Sequence, residues 1–337
     1  MGRFFKLLIV TGCVLFAVAA FLYVIPSDEY ILLPDNARPL APQVFVEGER
    51  PDKDGGGIYY VAVEIDKASV LEKLFPRIRE GSTLVPASSL RAPGESEAEH
   101  RKVELRAMAD SQKIGAAVAL RSLGYPVRVK TLGTIIAGVD PKGPSNGKLE
   151  AGHTIIAVDG QATRTLADIR REIRKHEPGE TVEIEVRRDG RPKTVAVKTV
   201  PEEKHPEVPV IGVFLQADSR ISLPRPVRID LGQVGGPSAG LAFALDVLEE
   251  LGHDIDRGHK VAASGELQLD GTVLPVGGLK QKTIGAKRAG VDVFLVPAGE
   301  NAEDARRYAG SMKVVPVKSF RQALQALATL PEERTKS

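Results

Sequence analysis

Nineteen residues from Leu7 to Ile25 form an apolar run broken only by Thr11, Gly12 and Cys13. That run constrains the chain more than any other feature. In hydrocarbon every backbone N–H and C=O must be bonded internally, so such a stretch crosses a bilayer as a helix. At 1.5 Å per residue it is about 28 Å long, close to the thickness of the hydrocarbon core. Arg3 and Lys6 precede it, and Asp28 and Glu29 follow. The positive-inside rule then predicts a cytoplasmic N-terminus, one cell-membrane pass within residues 1–26, and everything after Pro26 outside the cytoplasm.

Two other readings stay open. A cleaved signal peptide has a candidate site at Ala17-Val-Ala19, although cutting there leaves FLYVI on the new terminus. Val10-Thr-Gly-Cys13 resembles a lipoprotein box, but the apolar run continues for twelve residues beyond it.

Composition excludes several classes. The 46 basic and 44 acidic side chains leave a net charge of +2, too balanced for a nucleic-acid surface. Cys13 is the single cysteine, so neither an intramolecular disulfide nor a cysteine metal site can form. His176-Glu-Pro-Gly-Glu180 begins like a zinc-protease helix but ends in Glu, and Pro178 breaks the helix. No metal and no cofactor are predicted.

The 337 residues suffice for about two domains at roughly 100–200 residues each. Residues 27–43 are punctuated by Pro34, Pro39 and Pro42 and read as a juxtamembrane linker. Val44–Val46 and Ile58–Ile65 read as strands. Glu97–Leu123 reads as a long helix, with Met108, Ile114, Ala117, Val118 and Leu120 on its apolar side.

From 126 to 202 the character changes to short β-like runs between glycine turns. The runs are Thr134–Val139, Thr154–Val158, Thr181–Arg187 and Thr194–Lys198, with an amphipathic helix over Leu166–Lys175. The phrase from Pro141 to Gly152 (PKGPSNGKLEAG), followed by HTIIAVDGQ, resembles a PDZ domain, with His153 where such domains usually have Asp. The resemblance implies binding of an extended peptide as an added strand, its terminal carboxylate held on backbone N–H groups. The matching loop is expected at Leu132, Gly133, Thr134 and Ile135. A PDZ fold serving only as a spacer is the alternative.

The chemistry is carried by two later segments. Leu231-Gly-Gln-Val-Gly-Gly-Pro-Ser238-Ala-Gly240 runs into the apolar LAFALDVLEEL, which predicts a tight turn opening a buried helix. Ser238 then lies at or near a helix N-terminus, where unpaired N–H groups and the positive dipole end suit an oxyanion. Gly236, Pro237 and Ala239 are the turn and oxyanion candidates. A Gly-Pro-Ser turn capping a helix for structural reasons alone is common, so this segment needs a second.

That second segment runs from Ser264-Gly-Glu-Leu267 to Gly277-Gly-Leu-Lys280-Gln-Lys282. On a helix begun by the two glycines, residues 279, 282, 283 and 286 share one side. Lys282 is therefore expected to face inward and Lys280 elsewhere. A lysine among apolar neighbours loses its charge more readily and becomes a usable general base for a serine.

Together the Gly-Pro-Ser-Ala-Gly turn, the Ser-Gly-Glu strand end and the Gly-Gly-Leu-Lys-x-Lys helix start closely resemble the Lon-type proteolytic domain, peptidase family S16. By that resemblance Ser238 is the nucleophile, Lys282 the base and Ser264 an orienting hydroxyl, with Ser238 and Lys282 44 residues apart. Met108-Ala-Asp-Ser111-Gln-Lys-Ile-Gly-Ala116 is similar to a helix of the same family, and Pro297-Ala-Gly-Glu-Asn301 to its Pro-x-x-Asn element. Gly235 departs from the pattern, because the family usually has Asp there.

The expected fold is α+β. A Lon-type domain over 44–125 and 208–331 is interrupted by the PDZ-like module at 126–202 and preceded by the membrane helix. This combination resembles the YlbL-like family of membrane serine proteases. No Gly-x-x-x-x-Gly-Lys-Ser/Thr loop occurs, which implies an endopeptidase working without ATP on flexible or unfolded extracytoplasmic or membrane-associated chains. Implied partners are protein or peptide substrates, the membrane and, because Lon-type domains commonly form rings, further copies of the chain. The rival class is an inert, membrane-tethered peptide-binding scaffold.

Overall fold

The protein is represented by a computed structural model that describes residues 2–47, 56–91, 96–140, 142–188, 190–202 and 205–332. Pro141 of the PDZ-like phrase lies outside them. The N-terminal run forms the helix Gly2–Val24, and Phe4–Val24 is long and apolar enough to cross a bilayer or to act as a signal segment. The rest divides into two compact units. One contains the described residues up to Arg91, those from 96 to Val127 and those from Leu223 onward; the other contains Arg128–Ser222.

The first unit is built on a five-stranded sheet in the order Arg38–Pro39, Gly57–Tyr60, Lys260–Ala263, Val293–Pro297, Lys313–Val317. The last four strands are parallel. Parallel strands are covered on both faces, and alternate residues here serve two separate cores. Val261, Ala263, Val293 and Leu295 pack with the helices Glu97–Ser122, Gly240–Glu250 and Phe320–Ala328. Ala262, Phe294 and Val296 pack with Leu279–Arg288 and Glu300–Tyr308. The helix Gly240–Glu250 is buried at every residue, which explains why its sequence is apolar on nearly all sides. The helix Glu97–Ser122 crosses it at Gly115, where a β-carbon would lie 2.8 Å from Phe243 Cβ and 3.1 Å from the Gly240 carbonyl oxygen.

Three sequence expectations change here. Residues 27–43 are not a linker: Pro26–Pro34 is a strand between Val63–Ser69 and Thr83–Pro86, with Ile31 and Leu33 buried. Its prolines sit at the two ends, where a strand tolerates a missing N–H, so they mark the strand rather than forbid it. The run Ile58–Ile65 is two strands, Gly57–Tyr60 in the parallel sheet and Val63–Ser69 in the antiparallel one. Continuous apolar and aromatic character gives no mark of where a strand leaves one sheet for another.

The third change is the boundary of the inserted module. Its sheet runs Arg191–Lys198, Thr181–Arg188, Thr154–Val158, Arg128–Val139, Val213–Ser222, around a core that includes Ile136, Ile155, Ile169 and Ile184. The last strand pairs with Arg128–Val139 along its whole length, so the module extends to Ser222 rather than 202, and the catalytic part resumes at Leu223 rather than 208. This strand is an edge strand, exposed or half-buried throughout, so its sequence lacks the alternation that reveals a core-facing strand.

Candidate active site

The nucleophile turn is shaped by glycine. Gly236 takes φ 88°, a left-handed conformation that a side chain resists, and Pro237 fixes the next dihedral. Ala239, not Ser238, is the cap of the helix Gly240–Glu250, so Ser238 stands one residue ahead of it. The turn is held from several sides. Ser111 Oγ donates to the Pro237 carbonyl at 3.0 Å, Gly236 N–H donates to the Glu104 carbonyl at 2.9 Å, and Gly265 N–H donates to the Ser238 carbonyl at 2.8 Å. Ser264, fully buried, adds a 3.3 Å hydrogen bond from its hydroxyl to that same Ser238 carbonyl.

The lysine expected to act as base, Lys282, lies on the helix Leu279–Arg288. Gly278, at φ 72°, opens this helix in a left-handed conformation, and a β-carbon there would lie 2.6 Å from Val63 Cγ2. Leu279, Lys282, Thr283 and Ala286 are all buried, as the helical spacing predicts, and Lys282 is only 4% exposed. Burial disfavours the ammonium form and lowers the Lys282 pKa from 10.5 to about 8. Lys280 turns the other way and donates to the Ser82 carbonyl at 2.7 Å, which anchors the helix to a neighbouring loop. Asn301 holds the strand end before the helix: Val276 N–H donates to its Oδ1 at 2.8 Å, and its Nδ2 donates back to the Val276 carbonyl at 3.0 Å.

Ser238 and Lys282 line one cleft of about 1290 Å³. The geometry distributes the other expected residues more finely. Gly236 cannot serve an oxyanion, because its N–H is already given to Glu104, and Pro237 has no N–H. Among the described residues the N–H groups of Ser238 and Ala239 carry no hydrogen bond, which leaves them for that task. Ser264 bonds to the nucleophile's peptide rather than to the lysine it was expected to orient. Glu266 has its pKa raised by burial and accepts from Gln268 Nε2 at 2.9 Å. Glu249, Asp254 and Asp256 bring carboxylate oxygens within 4.8 Å, but Glu249 Oε1 already accepts from Ile255 N–H and Asp256 N–H. Those acids shape a loop.

Glu104 was missed from sequence, and Ser111, part of the family-like helix, was given no place at the turn. Ser111 follows Met108 by one helical turn, so a hydroxyl on the apolar side of a helix was the available signal.

In the second unit, the expected peptide loop falls in the wrong strand. Thr134 and Ile135 pair with Ala217 and Gln216 on one side and with Ile155 and Thr154 on the other. Thr134 and Ile135 therefore lie inside the sheet with no edge to offer, while Gly133 pairs with Asp218 on one side. One edge of the sheet belongs to Val213–Ser222, beside a cleft of about 680 Å³ lined by Ile173 of the helix Leu166–Ile173 and by Pro209–Leu215. Gly212, at φ 68°, shapes the loop before that strand, and Ser145 Oγ of the Gly-Pro-Ser turn donates to the Ile211 carbonyl at 2.5 Å.

These two sites match two known domain classes. Residues 229–329 match the family described as the Lon protease (S16) C-terminal proteolytic domain, and residues 121–199 match the PDZ domain. The chain thus carries a Lon-type proteolytic domain and a PDZ domain. It is similar to the Lon protease of Rhizobium meliloti (strain 1021), 38% identical over 102 residues, 29% of this chain and 12% of that protein. It is also similar to Lon protease 2 of Bacillus subtilis (strain 168), 31% identical over 119 residues, 35% of this chain and 20% of the relative. The match therefore spans at most a fifth of these relatives. The PDZ domain of an SdrC-like protein from Listeria monocytogenes is 25% identical, covers 26% of this chain and 92% of its own, and has a TM-score of 0.24.

Proposed function

We propose that this protein is a serine endopeptidase with a Ser238–Lys282 dyad, working without ATP on flexible or unfolded chains outside the cytoplasm. The observation that carries this reading is a buried lysine of lowered pKa in the same cleft as a serine set ahead of a helix N-terminus. Neutral Lys282 takes the Ser238 proton, and the alkoxide attacks a peptide carbonyl. The free N–H groups of Ser238 and Ala239 stabilise the oxyanion, and the same lysine then activates water for deacylation. The apolar helix Phe4–Val24 supports attachment to the cell membrane, with its basic flank on the cytoplasmic side. The rival scaffold reading predicts an inert serine. A serine-reactive phosphonate probe is expected to label Ser238 alone, and absence of labelling at pH 9, where Lys282 is neutral, would sink the dyad.

The PDZ domain is proposed to bind peptide tails along the open edge of Val213–Ser222, next to the loop Pro209–Gly212. An added strand would pair with that edge as β-augmentation requires. Hydrogen exchange is the check: bound peptide is expected to slow the outward-facing amides of Val213–Ser222 and leave those of Leu132–Ile135 unchanged. Protection confined to 132–135 would overturn the placement.

A further inference from the structure

Glu104 lies on the second turn of the helix Glu97–Ser122 and lines the active-site cleft with Ser238 and Lys282. Its side chain rests against the nucleophile turn. A β-carbon on Gly235 would lie 2.8 Å from Glu104 Cβ, and one on Gly236 would lie 3.0 Å from Glu104 Oε2. Both glycines are thus what admits this carboxylate to the turn. Gly235 is also the position where the family resemblance led us to expect an acid; in space, the acid beside the turn comes from another element.

The carboxylate is half-buried, and among the described residues no hydrogen bond or ion pair reaches it. Several other charges around the cleft are engaged, Glu97 with Tyr30 and Arg91, Asp35 with Arg38, and Arg101 with Gln233, while Glu64 and Lys67 on its rim are exposed to solvent. Lys282 is not its partner, since a carboxylate paired with that lysine would favour the ammonium, whereas burial alone accounts for its lowered pKa. A half-buried carboxylate that lines the cleft and has no protein partner is open to a cation brought by a ligand. Gly236 and Ser238 are two residues apart, so their Cα atoms are separated by at most about 7 Å. An extended substrate advances about 3.3 Å per residue, which sets the complementary charge within about two or three residues of the bond attacked.

From this juxtaposition we infer that Glu104 is a specificity-determining residue, which pairs with a lysine or arginine side chain of the polypeptide close to the bond cut by Ser238. The inference rests on the peptidase reading given above.

The test uses the full chain in detergent micelles and quenched-fluorescent peptides carrying Lys, Gln or Glu singly at each of three positions on either side of the cleaved bond. The wild type is expected to favour Lys over Gln by about tenfold in kcat/KM at one position, the scale of a charge pair partly withdrawn from water. Glu104→Gln is expected to bring that ratio close to one, and Glu104→Lys to turn the preference toward Glu at the same position. A Lys preference that survives Glu104→Gln overturns the assignment. So does a uniform fall in kcat over all peptides in that variant, which would make Glu104 a support of the turn. Hydrolysis by the wild type that is lost in Ser238→Ala keeps the peptidase reading standing even if no charge preference appears. No hydrolysis of any peptide removes both.

Discussion

Ser238→Ala is expected to lower kcat by a factor on the order of 10⁴ or more, with unfolding free energy within about 0.5 kcal/mol of the wild type. The activity loss follows from removing the hydroxyl proposed as the nucleophile. The unchanged stability follows from how the turn is held. Gly265 N–H and Ser264 Oγ bind the Ser238 carbonyl, Ser111 Oγ binds the Pro237 carbonyl, and Gly236 N–H binds Glu104, all without the Ser238 hydroxyl. The measurement is cleavage of an unstructured protein by purified wild type and variant, beside urea unfolding of both. Turnover retained in the variant would remove Ser238 from the mechanism. A collapse of stability would instead show that the hydroxyl is structural.

Lys282→Met should do something less usual: abolish activity and make the protein more stable at neutral pH. Lys282 titrates near 8 in the folded chain against 10.5 for a free lysine, so the folded state holds its proton more weakly than the unfolded state. Stability must then rise with pH between those two values and be lowest, by a constant amount, below about pH 8. A displacement of this size corresponds to roughly 3 kcal/mol at pH 7, and the side chain is 4% exposed, so little of it is lost to solvent screening. Methionine has a similar length and no charge to desolvate, so about 2–3 kcal/mol of added stability is expected at pH 7. The gain should largely fade by pH 10.5, where the folded lysine is neutral and the unfolded one is half deprotonated. Paired unfolding curves at pH 7 and pH 10.5 test this, and a stability difference independent of pH would contradict it. The same titration sets the activity profile. The wild-type rate should climb about tenfold per pH unit below 8 and level off above it, since only the neutral amine accepts the serine proton. A rate that is flat from pH 6 to 9 would argue against the dyad.

The unit around the candidate site is extensively packed. The helix Gly240–Glu250 is buried throughout, and the sheet beneath it carries a separate core on each face. Asn301 fixes the strand end that leads into the lysine helix, and Lys280 moors that helix to Ser82. A lysine's pKa can be lowered in this way only where its surroundings do not yield to it.

Much of this was legible in the chain itself. The membrane-length helix followed from nineteen nearly uninterrupted apolar residues, because length and polarity alone decide that property. The inward turn of Lys282 and the outward turn of Lys280 followed from 3.6-residue spacing once Gly277 and Gly278 marked the helix start. The Gly-Gly-Pro-Ser turn was readable because few residue types tolerate its backbone. Such features are local, so neighbours in sequence determine them.

What the sequence did not reveal depended on which strands lie side by side. Pro26–Pro34 became a strand because Val63–Ser69 and Thr83–Pro86 flank it, and the proposed peptide edge moved to Val213–Ser222 because Thr134 and Ile135 pair on both sides. Pairing joins segments tens of residues apart, and an edge exists only after every other strand has found its partner. Glu104 is the same case at the scale of one side chain. It lies more than a hundred residues before Ser238, and only the crossing of two helices sets its carboxylate against the nucleophile turn. The sequence by itself determined the membrane-length helix, the serine turn and the facing of the lysine; tertiary packing decided how loosely the lysine holds its proton, which strand lies at an edge and which acid lies beside the serine, because burial and proximity are properties of the folded chain.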